Sequence, residues 1–278
     1  MRRFVVVSGV DPRSFAEPMD RCLASWSRAM APSIGLHLWV DGELPDGTVL
    51  PRFVIRRMGE IGGWTEFVAS VRGDLASAPR GDDGRPDPRW NPVAGAARFF
   101  VLREAVRTVP AVRIVWLDAD VLAHRPVEES FLAAACPAAV PVSYVWRPDG
   151  SDLGFLSVDP RHPVAVDLID RCVDVYVSGR FRQLPEWRSC DVFDGERREI
   201  EGDGDRVRFF DVGRGVGRRA RHAFVNSILG SRFDHMKGSR KKAGGTPTSD
   251  LVVDRYERYW RERREVPVSV RRNGENGP

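Results

Sequence analysis

The sequence predicts an α/β fold, with a mostly parallel central sheet and helices on both of its faces. Apolar segments typical of buried strands occur at residues 4–7, 34–40 and 112–117, and stretches with helical spacing of apolar residues lie between them. Strands that alternate with helices favour a parallel sheet. Ligands of such sheets bind beyond the carboxyl ends of the strands, so the residues that follow each strand are the first candidates for a site.

The remaining elements follow from spacing and composition. Helices are predicted over residues 13–30, 95–109, 164–177 and 249–264, and further strands over 49–55, 138–145 and 154–158. The segments 72–92 and 201–217 are rich in glycine and charged residues and are predicted to be loops. A change of composition after Gly245 predicts one domain over 1–245, followed over 246–278 by a C-terminal helix and a disordered tail.

The overall composition is that of a soluble protein. Hydrophobic residues make up 42% of the 278 and charged residues 29%, and no apolar run approaches the roughly 20 residues that span a membrane. The first apolar segment predicts a strand and not a signal peptide. The cysteines form no C-x-x-C pair, which predicts reduced core residues in a cytoplasmic protein. They are Cys22, Cys136, Cys172 and Cys190.

Positive charge is concentrated late in the chain. The formal net charge is only +4, but the window Arg214–Lys242 holds nine lysines and arginines against the single acid Asp234. Such a basic patch indicates a polyanionic ligand, either a diphosphate or a nucleic acid, and the alternative is a solvated charged surface.

The strongest local motif is an acidic pair at the end of a buried strand. Asp118 and Asp120 flank the small Ala119 directly after the apolar segment that ends at Leu117. Carboxylates are costly to bury within such a strand, but at its end they can share one hard divalent cation with a diphosphate. The alternative is an acidic turn that caps the next helix.

A second motif lies more than a hundred residues later, where His235 precedes Gly238 and Lys241. A neutral imidazole is a suitable third ligand for a borderline ion such as manganese. The glycine would let backbone approach a phosphate, and the lysine would neutralise a departing diphosphate. Taken alone, a single histidine and a lysine run are ordinary surface features, so the motif depends on its pairing with the acidic strand end.

These two motifs, D-x-D and H-x-x-G-x-x-K, resemble those of the GT-A glycosyltransferases related to family eight. The segment 90–99 also resembles the helix that precedes the D-x-D in these enzymes, and segments at 152–155, 159–163, 186–187 and 224–242 are similar to phage and bacterial glycosyltransferases. The resemblance implies a hexosyltransferase with a Mn2+ or Mg2+ ion and a nucleotide-sugar donor, most typically a UDP-sugar, in a bacterial or phage-infected cell. It implies a nucleotide-sugar half over about 1–125 and an acceptor half over about 126–245.

The resemblance also assigns residues. It implies metal ligation by Asp118, Asp120 and His235, and donor binding near Arg98 in the helix before the D-x-D. The remaining residues assigned to the donor are Ser8 and Gly9 at the end of the first strand, Ala119, Gly238 and Lys241. The family has a histidine or aspartate after Glu186-Trp187, whereas this chain has Arg188-Ser189, which leaves Asp152 and Asp191 as two candidates for the carboxylate that meets the donor sugar.

Two other functions are compatible with parts of the sequence. Nucleotidyl transfer also uses carboxylate-bound metal on an α/β sheet, but it usually needs a glycine-rich phosphate loop, and Ser8-Gly9-Val10 is too short for one. A DNA-binding protein could use the patch Arg214–Lys242, although no recognised DNA-binding motif accompanies it. DNA also remains open as the acceptor of the transferase, beside protein and glycan.

Overall fold

The computed structural model describes residues 1–11, 17–81, 84, 87–147, 150–202, 209–213, 224 and 227–236. The predicted C-terminal helix, the predicted tail, Gly238, Lys241 and most of the basic patch lie outside the described residues. Within the described part of the chain, no helix is both long enough and apolar enough to cross a membrane. None of the four cysteines forms a disulfide, and only Cys190 is not fully buried.

Seven of the nine described strands form one sheet, in the order β3-β2-β1-β4-β7-β6-β8. The strands are β1 (Arg2–Val10), β2 (Gly35–Val40), β3 (Phe53–Arg57), β4 (Ala111–Leu117), β5 (Val121–Ala123), β6 (Val142–Val145), β7 (Asp152–Val158), β8 (Phe210–Asp211) and β9 (Phe233–His235). Strands β3, β2, β1 and β4 are parallel, β7 runs antiparallel to both β4 and β6, and β8 is parallel to β6. The predicted, mostly parallel α/β sheet is therefore confirmed.

Helices cover both faces of this sheet. They are α1 (Glu17–Ala29), α2 (Trp64–Ser70), α3 (Arg72–Ser77), α4 (Pro92–Thr108), α5 (Glu129–Ala135), α6 (Pro163–Val177) and α7 (Ser189–Gly202). Alternate strand residues point to opposite faces. Val5 and Ile114 accordingly pack with α2, α4, α6 and α7 in one core cluster, whereas Val6 and Val115 pack with α1 and α5 in another. The central strands are buried on both faces, which explains their continuous apolar sequences.

Several elements differ from the sequence predictions for local reasons. The strand predicted over 49–55 lies at Phe53–Arg57, because Pro51 and a left-handed Arg52 (φ 76°) precede it. The strand predicted over 138–145 begins only after Pro141, which has no N–H to donate. The segment 72–92 contains α3 and a 3-10 turn at Pro88–Trp90, so it is not wholly loop. Helix α7 and strand β9 were not predicted.

Candidate metal and nucleotide-sugar site

Strand β4 delivers the acidic pair to the carboxyl edge of the parallel strands. Asp118 directly follows β4, its N–H donates to the carbonyl of Gly154 at 3.0 Å, and its own carbonyl accepts from Val121 N at 2.9 Å. The chain thus makes a tight turn before β5 begins. Ala119 is buried in the core on the α1 and α5 face, while the two flanking carboxylates keep 17 to 18% of their side-chain surface exposed.

His235 reaches this edge through a short antiparallel ribbon of β5 and β9. The ribbon pairs Val121 with His235, and Met236 N donates to the carbonyl of Asp120 at 3.0 Å. The register places the imidazole beside the two carboxylates, with its Nε2 3.5 Å from Asp118 Oδ2 and 3.2 Å from Asp120 Oδ1. The imidazole is completely buried.

The three side chains fit one divalent cation. Asp118, Asp120 and His235 each offer one ligand atom, and these atoms lie within 4.8 Å of one another. Carboxylate oxygens suit Mg2+ and Mn2+, and an imidazole nitrogen suits the more borderline Mn2+. The structure brings together the three residues that the sequence motifs paired across more than a hundred positions. Their role as metal ligands stays a prediction.

Arg98 of α4 holds one of the two carboxylates. Its Nη2 lies 2.6 Å from Asp118 Oδ1, its Nη1 bonds Ser189 Oγ at the start of α7, and its guanidinium lies 5.3 Å from the ring centroid of Trp116. Trp116 Nε1 donates to the same Asp118 oxygen at 2.7 Å. Asp118 therefore has Oδ1 fixed by two donors, and its Oδ2 is the oxygen nearer to His235. Arg98 was assigned to the donor, and here it contacts a proposed metal ligand directly.

The two candidates for the sugar-contacting carboxylate differ in environment. The Asp152 side chain is 2% exposed, and its Oδ1 accepts from Gly154 N at 2.9 Å and lies 3.5 Å from His235 Nδ1. Asp191, in the first turn of α7, is 26% exposed and forms a two-point pair with Arg188, at 2.9 and 3.1 Å. The hydrogen bonds that Arg188 donates to the Asp191 carboxylate raise the pKa of Arg188 above its ordinary value.

The two residues at the end of β1 that were assigned to donor binding, Ser8 and Gly9, are not equally accessible. The Ser8 side chain is completely buried, whereas Gly9 is partly exposed. A Cβ on Gly9 would lie 3.4 Å from the ring of Trp116 and 3.5 Å from Val101, so the strand packs closely against the residues that support the acidic pair.

Sequence reasoning missed three residues that shape the site. Trp116 lies two positions before Asp118, so strand alternation alone would have placed it on the same face. The His235 imidazole packs closely against the backbone of Gly154, since a Cβ added at Gly154 would lie 2.2 Å from His235 Cε1. Phe224 has its ring centroid 5.1 Å from that of His235, and no short-range pattern marks this contact.

Comparisons with known proteins give a likeness of fold only. No protein-family model matches the chain, and no curated protein matches it significantly. Among solved structures, mouse Xyloside xylosyltransferase 1 in its apo form is 11% identical with a TM-score of 0.44, over 75% of this chain and 84% of that one. A glycosyltransferase involved in the glycosylation of the major capsid of PBCV-1 is 14% identical with a TM-score of 0.43, over 87% and 98%.

The glycosyltransferase GlyE of Streptococcus pneumoniae TIGR4 is a third similar structure, 10% identical with a TM-score of 0.46. The match covers 77% of this chain but only 47% of that protein, so this chain spans about half the length of GlyE. At such identities and TM-scores the likeness carries no information on substrate or chemistry. These have to be inferred from the residues of the site.

Proposed function

We propose that this protein is a metal-dependent glycosyltransferase that transfers a sugar from a nucleotide sugar, a UDP-sugar by preference, to an acceptor hydroxyl. The observation that carries the proposal is the cluster of Asp118, Asp120 and His235 at the carboxyl edge of the parallel strands. That edge is where α/β sheets bind their ligands, and two carboxylates with an imidazole form a site for one divalent cation.

In this proposal Asp118, Asp120 and His235 hold Mn2+ or Mg2+. A divalent cation supplies positive charge that can neutralise the diphosphate of a donor as the sugar bond breaks. Arg98 and Trp116 hold Asp118 in place, because both donate to its Oδ1. Such preorganised charge and hydrogen bonding are commonly the largest contribution to catalysis of group transfer.

The donor would extend from the acidic pair toward the end of β1. We assign the backbone around Gly9 and the buried Ser8 to the nucleotide side, and Gly238 and Lys241 to the diphosphate. The nucleotide-sugar half would occupy about 1–125 and the acceptor half about 126–245. Asp191, the more exposed of the two carboxylates assigned to the sugar, is accessible enough to orient it, and its pair with Arg188 would fix its carboxylate.

The acceptor hydroxyl could belong to modified DNA, to protein or to a glycan. The basic patch Arg214–Lys242 favours a polyanion, so DNA is the acceptor to test first, in the cytoplasm of a bacterial or phage-infected cell. A salt-dependent shift of duplex DNA, lost when the lysines and arginines of the patch are replaced, would support this acceptor.

A thermal-shift screen of nucleotide sugars with Mn2+ tests the proposal directly. At a hundredfold excess over its Kd, a cognate donor should stabilise the protein by about 2.7 kcal/mol. Hydrolysis or transfer should release a nucleoside diphosphate from the nucleotide sugar, whereas nucleotidyl transfer from a nucleoside triphosphate would release pyrophosphate. We expect Asp120→Ala to abolish Mn2+ binding and turnover with the fold intact. Chelator-insensitive turnover, or full activity of Asp120→Ala, would show that the metal mechanism is wrong.

A further inference from the structure

Asp152 faces the imidazole of His235 and not an open cleft. Asp152 opens β7, and its side chain is only 2% exposed. Its Oδ1 lies 3.5 Å from His235 Nδ1 and accepts from Gly154 N at 2.9 Å, and its Oδ2 lies 3.8 Å from Arg147 Nη1. A carboxylate with both oxygens facing protein groups, and almost no accessible surface, is poorly placed to meet the hydroxyls of a sugar.

The two nitrogens of the His235 ring face different carboxylates. Nε2 lies 3.5 Å from Asp118 Oδ2 and 3.2 Å from Asp120 Oδ1, while Nδ1 lies 3.5 Å from Asp152 Oδ1. The ring packs closely against the backbone of Gly154, where an added Cβ would overlap it, and its centroid lies 5.1 Å from that of Phe224. These two contacts restrict movement of the imidazole.

We propose that Asp152 is a positioning residue that accepts the Nδ1–H of His235 and thereby presents the lone pair of Nε2 to the cation. The inference rests on the proposed metal site and reassigns one of the two carboxylates considered for the donor sugar. A carboxylate that accepts from the distal nitrogen of a metal-binding histidine fixes the tautomer and ring orientation. Asp191 is then the remaining carboxylate for the sugar.

The first test is the Mn2+ affinity of the full chain, measured by calorimetry without nucleotide. Loss of such a partner typically weakens metal binding about 10- to 100-fold. We expect Asp152→Ala to fall in that range. We expect Asp152→Asn to lose less, because its amide oxygen can still accept from both Gly154 N and His235. Melting temperatures of the variants in chelator separate a loss of Mn2+ affinity from a loss of folding. If Asp152→Ala does not fold, the Mn2+ affinity of Asp152→Asn still tests the proposal.

Asp194→Asn is the matched control. Asp194 of α7 is as buried as Asp152, and its oxygens accept from Ser151 N at 2.8 Å and Ser151 Oγ at 2.6 Å. Ser151 directly precedes Asp152, so the substitution removes one buried negative charge from a residue bonded next to Asp152. We expect it to leave Mn2+ affinity unchanged. An equal loss in Asp152→Asn, Asp152→Ala and Asp194→Asn would indicate a general charge effect and would overturn the positioning role.

A second outcome would also overturn it. If both Asp152 variants bind Mn2+ as the wild type does, Asp152 does not position His235. A raised KM of these variants for the nucleotide sugar would then indicate that Asp152 contacts the donor sugar. Asp120→Ala distinguishes this failure from failure of the metal site itself. Lost Mn2+ binding in Asp120→Ala with unchanged binding in the Asp152 variants rejects only the positioning role, whereas unchanged binding in all three rejects the site.

Discussion

Replacing Gly154 by alanine should disturb the proposed metal site, because the added methyl group would overlap the His235 imidazole. The added Cβ would lie 2.2 Å from Cε1 and 2.5 Å from Nδ1 of His235, and 3.0 Å from Asp152 Oδ1. Favourable carbon contacts begin at about 3.5 Å, so the ring would have to move by about 1.3 Å. His235 is completely buried and cannot move without displacing its neighbours.

Two measurements follow from this overlap. Overpacking a buried position typically costs about 1–3 kcal/mol, so urea unfolding in chelator should show a loss of that size. Metal–ligand distances tolerate only about ±0.2 Å, so a displaced imidazole should also weaken Mn2+ binding at least about tenfold. The calorimetric titration proposed for the Asp152 variants would measure this directly.

Gly195→Ala provides the same chemical change without the overlap. Gly195 lies within α7, and a Cβ there meets no atom within 4 Å. Alanine in a helix is favoured over glycine by roughly 0.5–1 kcal/mol, so this control should be slightly stabilised and should bind Mn2+ unchanged. If Gly154→Ala binds Mn2+ with wild-type affinity and unfolds at the same urea concentration, the close approach of the imidazole to the strand is not required, and the reasoning is refuted.

Two further predictions concern charge. Arg98→Ala leaves the carboxylate of Asp118 without its 2.6 Å partner, which should lower the free energy of unfolding in chelator by about 2 kcal/mol. Saturating Mn2+ should recover part of that loss. Equal stability of variant and wild type in chelator would contradict this prediction. His124, bonded to the Gly230 carbonyl, has its pKa lowered to about 4 by burial, so the unfolded chain is protonated first as pH falls and stability is lost between about pH 6.5 and 4. His124 should contribute about 2 kcal/mol to the loss between pH 7 and 5 in urea unfolding, beside a contribution from His37, whose pKa burial also lowers to about 4. His124→Gln should therefore reduce the loss by about 2 kcal/mol; the same pH dependence in both proteins would exclude His124 as a source.

The sequence was most informative where a pattern is local. The buried strands and the helices α4 and α6 follow from apolar spacing, and the position of the acidic pair follows from the strand that precedes it. Helix α7 was missed because glycine and many charged residues interrupt its sequence, while its buried residues, among them Phe193 and Ile200, are selected by packing against the sheet.

The parts of the site that were missed depend on contacts between distant segments. Strand β9 has three residues, too few to show a period, and it forms only because β5 offers a partner. The burial of Asp152 likewise results from the strands and the imidazole around it, not from its neighbours in sequence. The residue types of the proposed metal site were therefore predictable, but the position of Asp152 beside its histidine was not.

If the proposed ion binds, the ribbon of β5 and β9 would couple its occupancy to local order. It has three residue pairs, and it joins segments that are more than a hundred positions apart in the chain. A pairing this short can open without unfolding the rest of the domain, and each opening would carry the imidazole away from the carboxylates. A cation that binds only the closed form would oppose that opening. Metal affinity and the slow exchange of amide protons in the ribbon would then be two measures of one equilibrium.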